Sequence, residues 1–359
     1  MKKRQPLVSI ITPAYRVEYF INKFIDNLSK INYPNYEVVM VFDPSPDKGL
    51  EIAKQKTINK RNWRIFLNKK RLGISKSLNL GINEAKGKYI IFIMTDMLVD
   101  PSCISELVNY IENAGNSIGA VVSKIYDFHQ HDRIQTYRMY LLPQTGFLYI
   151  PEYGLKDSKK YDKPFIGFSG IDGTLFKKEI FDKTGLFDID IDLSINDLDM
   201  IWRIWLAGYQ VVRIPSAKVY HWSLKLGRGD VRWEFTYAKM IDIFIQNYSL
   251  KYLIIYLPQI LALYTIRAII TLLSGNPTPM KGWIKALVWS FFYFPKALKK
   301  RRIVQSQIRV VSDDYLYDKI FGKMSIWEFY KHLKWVQKNI TPVMLTAESK
   351  NEKILTYSK

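Results

Sequence analysis

Hydrophobic and polar positions follow two alternating patterns along the first hundred residues. Strongly apolar stretches predict strands at residues 7–13, 36–42, 63–67 and 88–94. Residues 89–94 are apolar without alternation, which predicts a strand buried on both faces. Between these runs, apolar positions at helical spacing predict helices over residues 18–31, 48–60 and 74–87. Repeated strand–helix units predict an α/β fold, in which a mainly parallel twisted sheet carries helices on both faces.

Polar residues stand at the ends of three of these strands. Thr12, Asp43 and Asp96 each lie where a predicted strand ends. In open α/β sheets, ligands bind beyond the carboxyl ends of the strands, so this pattern favours a binding site at one edge. The alternatives are local: Asp43 can form an Asx turn before Pro44, and Asp96 can be a solvated loop residue.

The pattern changes after about residue 240. Residues 252–272 and 283–295 are strongly apolar, and positions 241–310 contain ten Lys or Arg against one acid, Asp242. Three arrangements suit such a segment: helices lying in a membrane interface, a spanning helix, or buried core helices. Polar residues and a proline within 252–272 favour the interfacial arrangement, with the basic run 299–302 at anionic lipid headgroups.

Composition narrows the class of protein. A net charge of +20 indicates an anionic partner, and a hydrophobic content of 48% excludes a mainly disordered chain. The one cysteine, Cys103, allows no internal disulfide and suits a reducing compartment. Only residues 7–11 form an apolar run near the start, which is too short for a signal-peptide core. We therefore expect the protein on the cytoplasmic side of the cell membrane, as a peripheral or monotopic protein.

Several stretches together carry a family resemblance. "VSIITPAYR" (8–16), "YEVVMVFDPSPDK" (36–48), the stretch 68–96 and the stretch 185–209 resemble the family 2 glycosyltransferases, and "VYHWSLKLGRGD" (219–230) is similar to that family's closing histidine segment. The resemblance implies a GT-A nucleotide-sugar-binding domain over residues 1–235. A helical membrane-associating region (236–310) and a polar, partly helical tail (311–359) would follow.

The resemblance also implies a set of residues that bind a nucleoside-diphosphate sugar. Tyr15 offers a face for the base, Asp43 can accept a hydrogen bond from a base N–H, and basic residues can neutralise the diphosphate. Pro44 and Pro46 stand where the family usually has Gly and Thr. The implied donor-binding residues are Thr12, Pro13, Ala14, Tyr15, Asp43, Ser45, Asn68, Arg71, Gly73, Thr95, Lys225 and Arg228.

A divalent cation is implied at the end of the strand before Asp96. The family has a three-residue acidic motif there, whose last carboxylate binds the metal, and this chain reads Met94-Thr95-Asp96. Oxygen ligands suit Mg²⁺ or Mn²⁺. The resemblance assigns His221 to the metal or the diphosphate as well.

A general base is implied in "SINDLDMIWRIW", which begins a helix. Asp197 aligns with the family's catalytic acid, although Asn196 replaces the usual preceding Glu. Asp199, two positions further on, is included with the catalytic pair and is expected to fix the loop. The alternative is that both acids only complement the positive end of the helix dipole.

These features favour an inverting, metal-dependent glycosyltransferase acting on a lipid-linked or cell-surface glycan at an anionic membrane face. A catalytically weak donor-binding scaffold is one alternative, because Met94 and Asn196 depart from the family pattern. A nucleic-acid-binding protein is less favoured, because much of the basic excess lies beside apolar helices rather than along a groove with stacking aromatics. We expect no nucleic acid among the partners. The sequence does not specify the sugar, the nucleotide, the acceptor or the oligomeric state.

Overall fold

The computed structural model describes residues 5–191, 195–222 and 233–323, together with positions 325, 327, 328, 330, 331 and 334. The strands are β1 Val8–Ala14, β2 Tyr36–Phe42, β3 Trp63–Leu67, β4 Tyr89–Phe92, β5 Met97–Val99, β6 Ile118–Asp127, β7 Ile134–Thr136, β8 Tyr140–Leu141, β9 Leu148–Tyr149, β10 Phe165–Ile166, β11 Thr174–Lys177 and β12 Gln210–His221. The helices are α1 Glu18–Leu28, α2 Gly49–Thr57, α3 Ile74–Glu84, α4 Cys103–Asn113, α5 Ile180–Thr184, α6 Asn196–Leu206, α7 Trp233–Asn247, α8 Leu250–Leu273, α9 Thr278–Ile303 and α10 Asp313–Lys319.

One large sheet organises the fold. Its strands run in the order β10-β12-β6-β11-β4-β1-β2-β3, with β5 added on β12 and β7 on β6. Strands β1, β2, β3 and β4 are mutually parallel, as the strand–helix alternation predicts. Strand β11, however, lies antiparallel between β4 and β6. The sheet is therefore mixed, because β11 enters through the 128–173 segment rather than through a helical crossover.

Two hydrophobic cores lie on opposite faces of this sheet. Along β1, Ile10 faces one core and Ile11 faces the other, as the alternation of side chains along a strand requires. Helices α1, α2 and α4 cover the first face, and α3, α5, α6 and α7 cover the second. The second core continues into α8 and α9 through buried residues such as Ile260 and Trp283.

The sequence prediction for the first strands is accurate. Strands β2 and β3 have the predicted bounds, and β1 is displaced by one residue. Helices α1, α2 and α3 each end three residues before their predicted ends. Strand β4 stops at Phe92, before the polar pair Thr95-Asp96, which forms a turn between β4 and β5.

The apolar C-terminal stretches form two long helices. Pro258 lies inside α8 and Pro295 inside α9, so neither proline ends its helix. Helix α8 is the one helix in the described part of the chain that has the length and apolar composition to cross a membrane, although such a helix alone is weak support for a span. The buried residues of α8 are Tyr252, Ile260, Tyr264 and Ala268.

Helix α9 exposes an apolar stripe. Ile284, Leu287, Val288, Phe291 and Phe292 recur at helical spacing on one side, and the two phenylalanines are 77% and 73% exposed. Its opposite side buries Trp283, Ala286 and Ala297 against the protein. Apolar patches of this kind on a folded chain mark contact surfaces.

Candidate functional site

The Asp43 carboxylate organises the edge at the end of β2. It accepts hydrogen bonds from Asn68 Nδ2 at 2.8 Å, Leu72 N at 3.1 Å and Gly73 N at 2.9 Å. Gly73 has a φ of 84°, a left-handed conformation that favours glycine, and it precedes the first turn of α3. Asp43 thus fixes the 68–73 loop, a role that the sequence alone did not predict.

Tyr15 and Arg71, two predicted donor contacts, lie against each other. The Arg71 guanidinium carbon is 4.1 Å from the centre of the Tyr15 ring, a cation–π contact. Thr12 is fully buried, and its hydroxyl donates to the carbonyl of Ile93 at 2.8 Å, which ties β1 to the segment after β4. The structure therefore brings Tyr15 and Arg71 together on the loop side, while the Thr12 hydroxyl holds the strands in place.

Ser45 closes a small network beside this edge. Its hydroxyl donates to Asp47 Oδ1 at 2.6 Å and accepts from Arg16 N at 3.2 Å. A cavity of about 320 Å³ opens next to it. The cavity is lined by Arg16, Phe42, Asp43, Pro44, Ser45, Asp47, Leu50, Glu51, Leu67, Asn68 and Lys69. Three of the predicted donor residues, Asp43, Ser45 and Asn68, thus share one cavity.

Asp96 and His221 meet at the other side of the edge. Antiparallel pairing of β5 with β12 sets His221 opposite Met97, and the backbone N–H of Trp222 donates to the Asp96 carbonyl at 2.8 Å. The His221 Nε2 atom lies 3.4 Å from Asp96 Oδ2. His221 Nδ1 lies 2.7 Å from Gln135 Oε1, so a proton on Nδ1 would leave the Nε2 lone pair facing Asp96.

This pair fits a divalent cation that also takes phosphate oxygens. An imidazole nitrogen oriented by a neighbouring amide oxygen, next to a partly exposed carboxylate, offers two adjacent ligand atoms. Mg²⁺ and Mn²⁺ accept such a small protein contribution and complete their shells with water and phosphate oxygens. Within the residues that the structure describes, no group of three or more His, Cys, Asp or Glu forms a fuller metal cluster.

Asp197 lies in the first turn of α6, as predicted. Its Oδ1 accepts from the N–H of Leu198 at 2.8 Å, and an added Cβ on Gly170 would stand 3.2 Å from its Oδ2, so the chain passes close to this carboxyl. Burial, and secondly the charge of Asp172, raise the pKa of Asp197 to about 7. A carboxyl with a pKa near neutrality is suited to general acid–base chemistry.

Asp172 is a site residue that the sequence analysis did not identify. Burial first, and then the charge of Asp96, raise its pKa to about 6, while His221 acts in the opposite direction. A backbone bridge to Phe92 places Asp172 at the end of β4, and its charge contributes to the raised pKa of Asp197. An acid between glycines in "SGIDG" (169–173) was the signal available in the sequence.

Asp199 lies in a buried ion pair instead of at the open edge. Its Oδ2 accepts from Arg203 Nε at 2.9 Å and Nη2 at 2.7 Å, and its Oδ1 accepts from Asn247 Nδ2 at 3.2 Å. Arg203 in turn donates to the Leu186 carbonyl at 3.0 Å. The side chain thus links α6 to α7 and to the preceding loop.

Two predicted donor contacts, Lys225 and Arg228, lie outside the described residues. Thr95 lies half-buried beside Asp96, in the turn after β4. Pro13 and Ala14 complete β1 on the Tyr15 side.

Residues 9–185 match the family model described as Glycosyl transferase family 2. The chain is 33% identical over 191 residues to the uncharacterized glycosyltransferase EpsJ of Bacillus subtilis (strain 168), an alignment that covers 52% of each chain. It is 30% identical over 120 residues to the minor teichoic acid biosynthesis protein GgaB of the same strain, covering 33% of this chain and 13% of GgaB. The alignments thus span about half of EpsJ and a smaller part of GgaB.

Solved structures share the fold. TarS 1-349 from S. aureus in complex with UDP-GlcNAc has a TM-score of 0.56 at 16% identity, covering 88% of this chain and 93% of that one. GalNAc-T7 with UDP, GalNAc and Mn²⁺ has a TM-score of 0.57 at 17% identity, covering 70% of this chain and 49% of that one. The fold is accordingly an α/β, GT-A-like fold with a mixed sheet.

Proposed function

Residues 9–185 belong to the family 2 glycosyltransferases, and from that premise we propose that the protein transfers a sugar from a nucleoside-diphosphate sugar to a hydroxyl group of a lipid-linked or cell-surface glycan. The observation that supports this most directly is the arrangement of three carboxyl groups. Asp96 pairs with His221, Asp172 is bridged to Phe92 at the end of β4, and Asp197 lies in the first turn of α6 with its Oδ2 close to Gly170. A bound donor would have its diphosphate beside Asp96 and its sugar facing Asp197.

The donor would lie along the edge formed by β1 and β2. The backbone of residues 12–14 frames the base, and the Tyr15–Arg71 pair borders it. Asp43 and Asn68 hold the loop that closes this side, with Ser45 at the adjoining cavity. Thr95 lies towards the diphosphate, and Lys225 and Arg228 are proposed to neutralise its charge.

Asp96 and His221 would hold Mg²⁺ or Mn²⁺, which supplies Lewis-acid stabilisation of the departing diphosphate. Asp197 takes the proton from the acceptor hydroxyl while the oxygen of that hydroxyl forms a bond to the anomeric carbon of the sugar. The bond between the anomeric carbon and the diphosphate oxygen breaks in the same step. One such displacement inverts the anomeric centre. The buried Asp199–Arg203 pair holds α6 in position for this step.

A panel of nucleotide sugars tests the proposed function. UDP-GlcNAc, UDP-GalNAc, UDP-glucose and GDP-mannose are each added with Mn²⁺, and we expect at least one to raise the melting temperature, because a ligand that binds only the native state stabilises it. In the absence of an acceptor, the protein should also hydrolyse the effective donor slowly, releasing its nucleoside diphosphate. ATP with Mn²⁺ is the control for nonspecific anion binding. No shift with any nucleotide sugar contradicts the proposal.

The pH dependence of turnover follows from Asp197. Because the base must be deprotonated, kcat/KM should fall as the pH drops below about 7, the pKa of this carboxyl. The Asp197→Asn variant should show residual turnover without this acid limb. The free energy of unfolding should change with pH in the opposite direction to the rate. The pKa of Asp197 in the folded state lies above the ordinary value of 3.8, so the stabilisation of the fold that is present at low pH is lost as the pH rises towards about 7. A pH-independent rate between 5.5 and 8 contradicts the assignment.

We also propose that the protein docks on the cytoplasmic face of an anionic membrane through α8 and α9. The exposed stripe of α9 would enter the acyl boundary, and Lys299 and Arg302, both exposed, would face lipid headgroups. The basic run 299–302 does not act as one unit, because Lys300 and Arg301 point inward. Arg301 Nη1 donates to the carbonyls of Ile245 and Tyr248, each at 2.6 Å.

Vesicle sedimentation tests this docking. Full-length protein should sediment with phosphatidylserine-containing vesicles, and changing Lys299 and Arg302 together to Gln should weaken binding roughly 30-fold, since each contributes about 1 kcal/mol. Changing Lys30 and Lys54 to Gln removes the same charge from the opposite side of the sheet and should leave binding unaltered. Equal vesicle binding by the wild type and both variants would contradict the proposed membrane-binding surface. Failure of the wild-type chain to sediment with the vesicles would contradict it as well.

A further inference from the structure

An ionic contact joins helix α9 to the loop that precedes α6. Lys300 Nζ lies 2.5 Å from Asp188 Oδ2 and 2.7 Å from Asp190 Oδ2, and Lys296 Nζ lies 2.7 Å from the same Asp190 oxygen. The side chains of Lys300 and Asp188 are only 24% and 12% exposed. A partly buried cluster that shares acceptors is firmer than an isolated surface ion pair, which often contributes little.

The protonation equilibria agree with this geometry. Hydrogen bonds and charges from Lys296 and Lys300 outweigh partial burial and lower the pKa of Asp190 to about 2. The two aspartates likewise outweigh partial burial and raise the pKa of Lys300. Asp190 and Lys300 are therefore charged at neutral pH, which favours the contact that the distances show.

The loop held by this cluster, residues 186–191, precedes the proposed base, Asp197, in the sequence. Its other side is fixed by α3: Asn79 exchanges two hydrogen bonds with the backbone of Phe187, at 2.8 and 2.9 Å, and Ser75 Oγ donates to the Ile191 carbonyl at 2.5 Å. Helix α3 is itself positioned at Gly73 by Asp43. The 186–191 loop is thus held between the donor edge and α9.

We propose that Lys296 and Lys300 are positioning residues that hold the 186–191 loop, and with it the start of α6, so that the Asp197 carboxyl faces the reacting atoms. Helix α9 is then a structural part of the active site as well as a membrane contact. The catalytic half of this inference rests on the proposed function, and the structural half does not.

The test uses the whole chain and two matched pairs of lysine substitutions. Lys296→Gln with Lys300→Gln removes the cluster, and Lys30→Gln with Lys54→Gln removes the same charge from exposed positions on the opposite side of the sheet. In the first variant, amides in 186–191 and 195–199 should exchange hydrogen at least about tenfold faster, the factor for a loss of about 1.4 kcal/mol in local stability. The second variant should match the wild type.

Kinetics supply the functional readout, with the nucleotide sugar that gives the largest thermal shift. The cluster variant should release nucleoside diphosphate about 10- to 100-fold more slowly, because small misplacement of a catalytic group is costly, while the donor KM stays unchanged. Lys300→Arg should retain most of the rate, and Asp190→Asn, a milder change from the opposite side, should lower it.

Unaltered exchange in 186–191 and 195–199, or an unaltered rate, in the cluster variant overturns the inference. If that variant fails to fold, the same comparison is made with Asp190→Asn. A wild-type protein that turns over no nucleotide sugar overturns the proposed function instead, and hydrogen exchange still decides whether the cluster holds the loop.

Discussion

Asp197→Asn should lower the rate of sugar transfer by a factor on the order of 10² to 10⁴, the usual range for loss of a general base. The amide has the same shape and cannot take the acceptor proton. Its Oδ1 can still accept from the N–H of Leu198, so the start of α6 should stay in place. Donor binding, measured as the melting-temperature shift with nucleotide sugar and Mn²⁺, should change little.

Asp199→Asn is the matched control for this experiment. Asp199 is 1% exposed and pairs with Arg203, so its loss leaves a buried guanidinium without its counter-charge. Breaking such a pair typically costs about 3–5 kcal/mol, and we expect a lower melting temperature as the main effect. A severe rate loss in Asp199→Asn at unchanged melting temperature, beside a mild one in Asp197→Asn, would reverse the two assignments.

Asp96→Ala should remove the response to metal. Without this carboxylate, Mn²⁺ should no longer enhance the donor-induced thermal shift, and transfer should fall by a factor on the order of 10³ or more, as several kcal/mol of charge stabilisation are lost. Excess chelator should reduce the wild-type rate similarly. Both measurements use the donor with the largest shift.

Asp100→Ala is the control for removing an acid near the same turn. Asp100 Oδ1 accepts from the Ser102 N–H at 3.0 Å and the Ser102 hydroxyl at 2.7 Å, so its role is local. This variant should keep its metal response. Full wild-type activity in excess chelator would exclude the metal from the mechanism.

Much of the sheet could be predicted from the sequence because each strand is specified locally. The run Tyr36–Phe42 is apolar except for Glu37 and is buried along nearly its whole length, so its bounds can be predicted from the sequence. The position of β11 could not be predicted in this way. Its four residues, Thr174–Lys177, gain their place only by pairing with β4 and β6, which are distant in sequence.

The candidate site shows the same contrast between residues predictable from local sequence and residues placed by distant contacts. Asp96, Asp197 and His221 follow recognisable motifs, whereas Asp172 belongs to a short glycine-rich stretch and becomes part of the site only through the fold. The four residues of the basic run 299–302 are all Lys or Arg, but two are exposed and two contact the protein. Its inward residues find partners more than fifty positions away, which no local pattern in the sequence specifies.

The junction between α7 and α8 has a consequence for the choice of acceptor. The two connecting residues are both held: the Tyr248 hydroxyl donates to the Pro143 carbonyl at 3.1 Å, and the Ser249 N–H donates to Asp313 Oδ2 at 2.6 Å. Under the proposed membrane attachment, the cleft cannot swivel on a tether and stays at one height above the lipid. The enzyme would then select acceptors by the distance between the lipid and the acceptor hydroxyl. The hydroxyl of a glycan that is too short or too long would not reach Asp197.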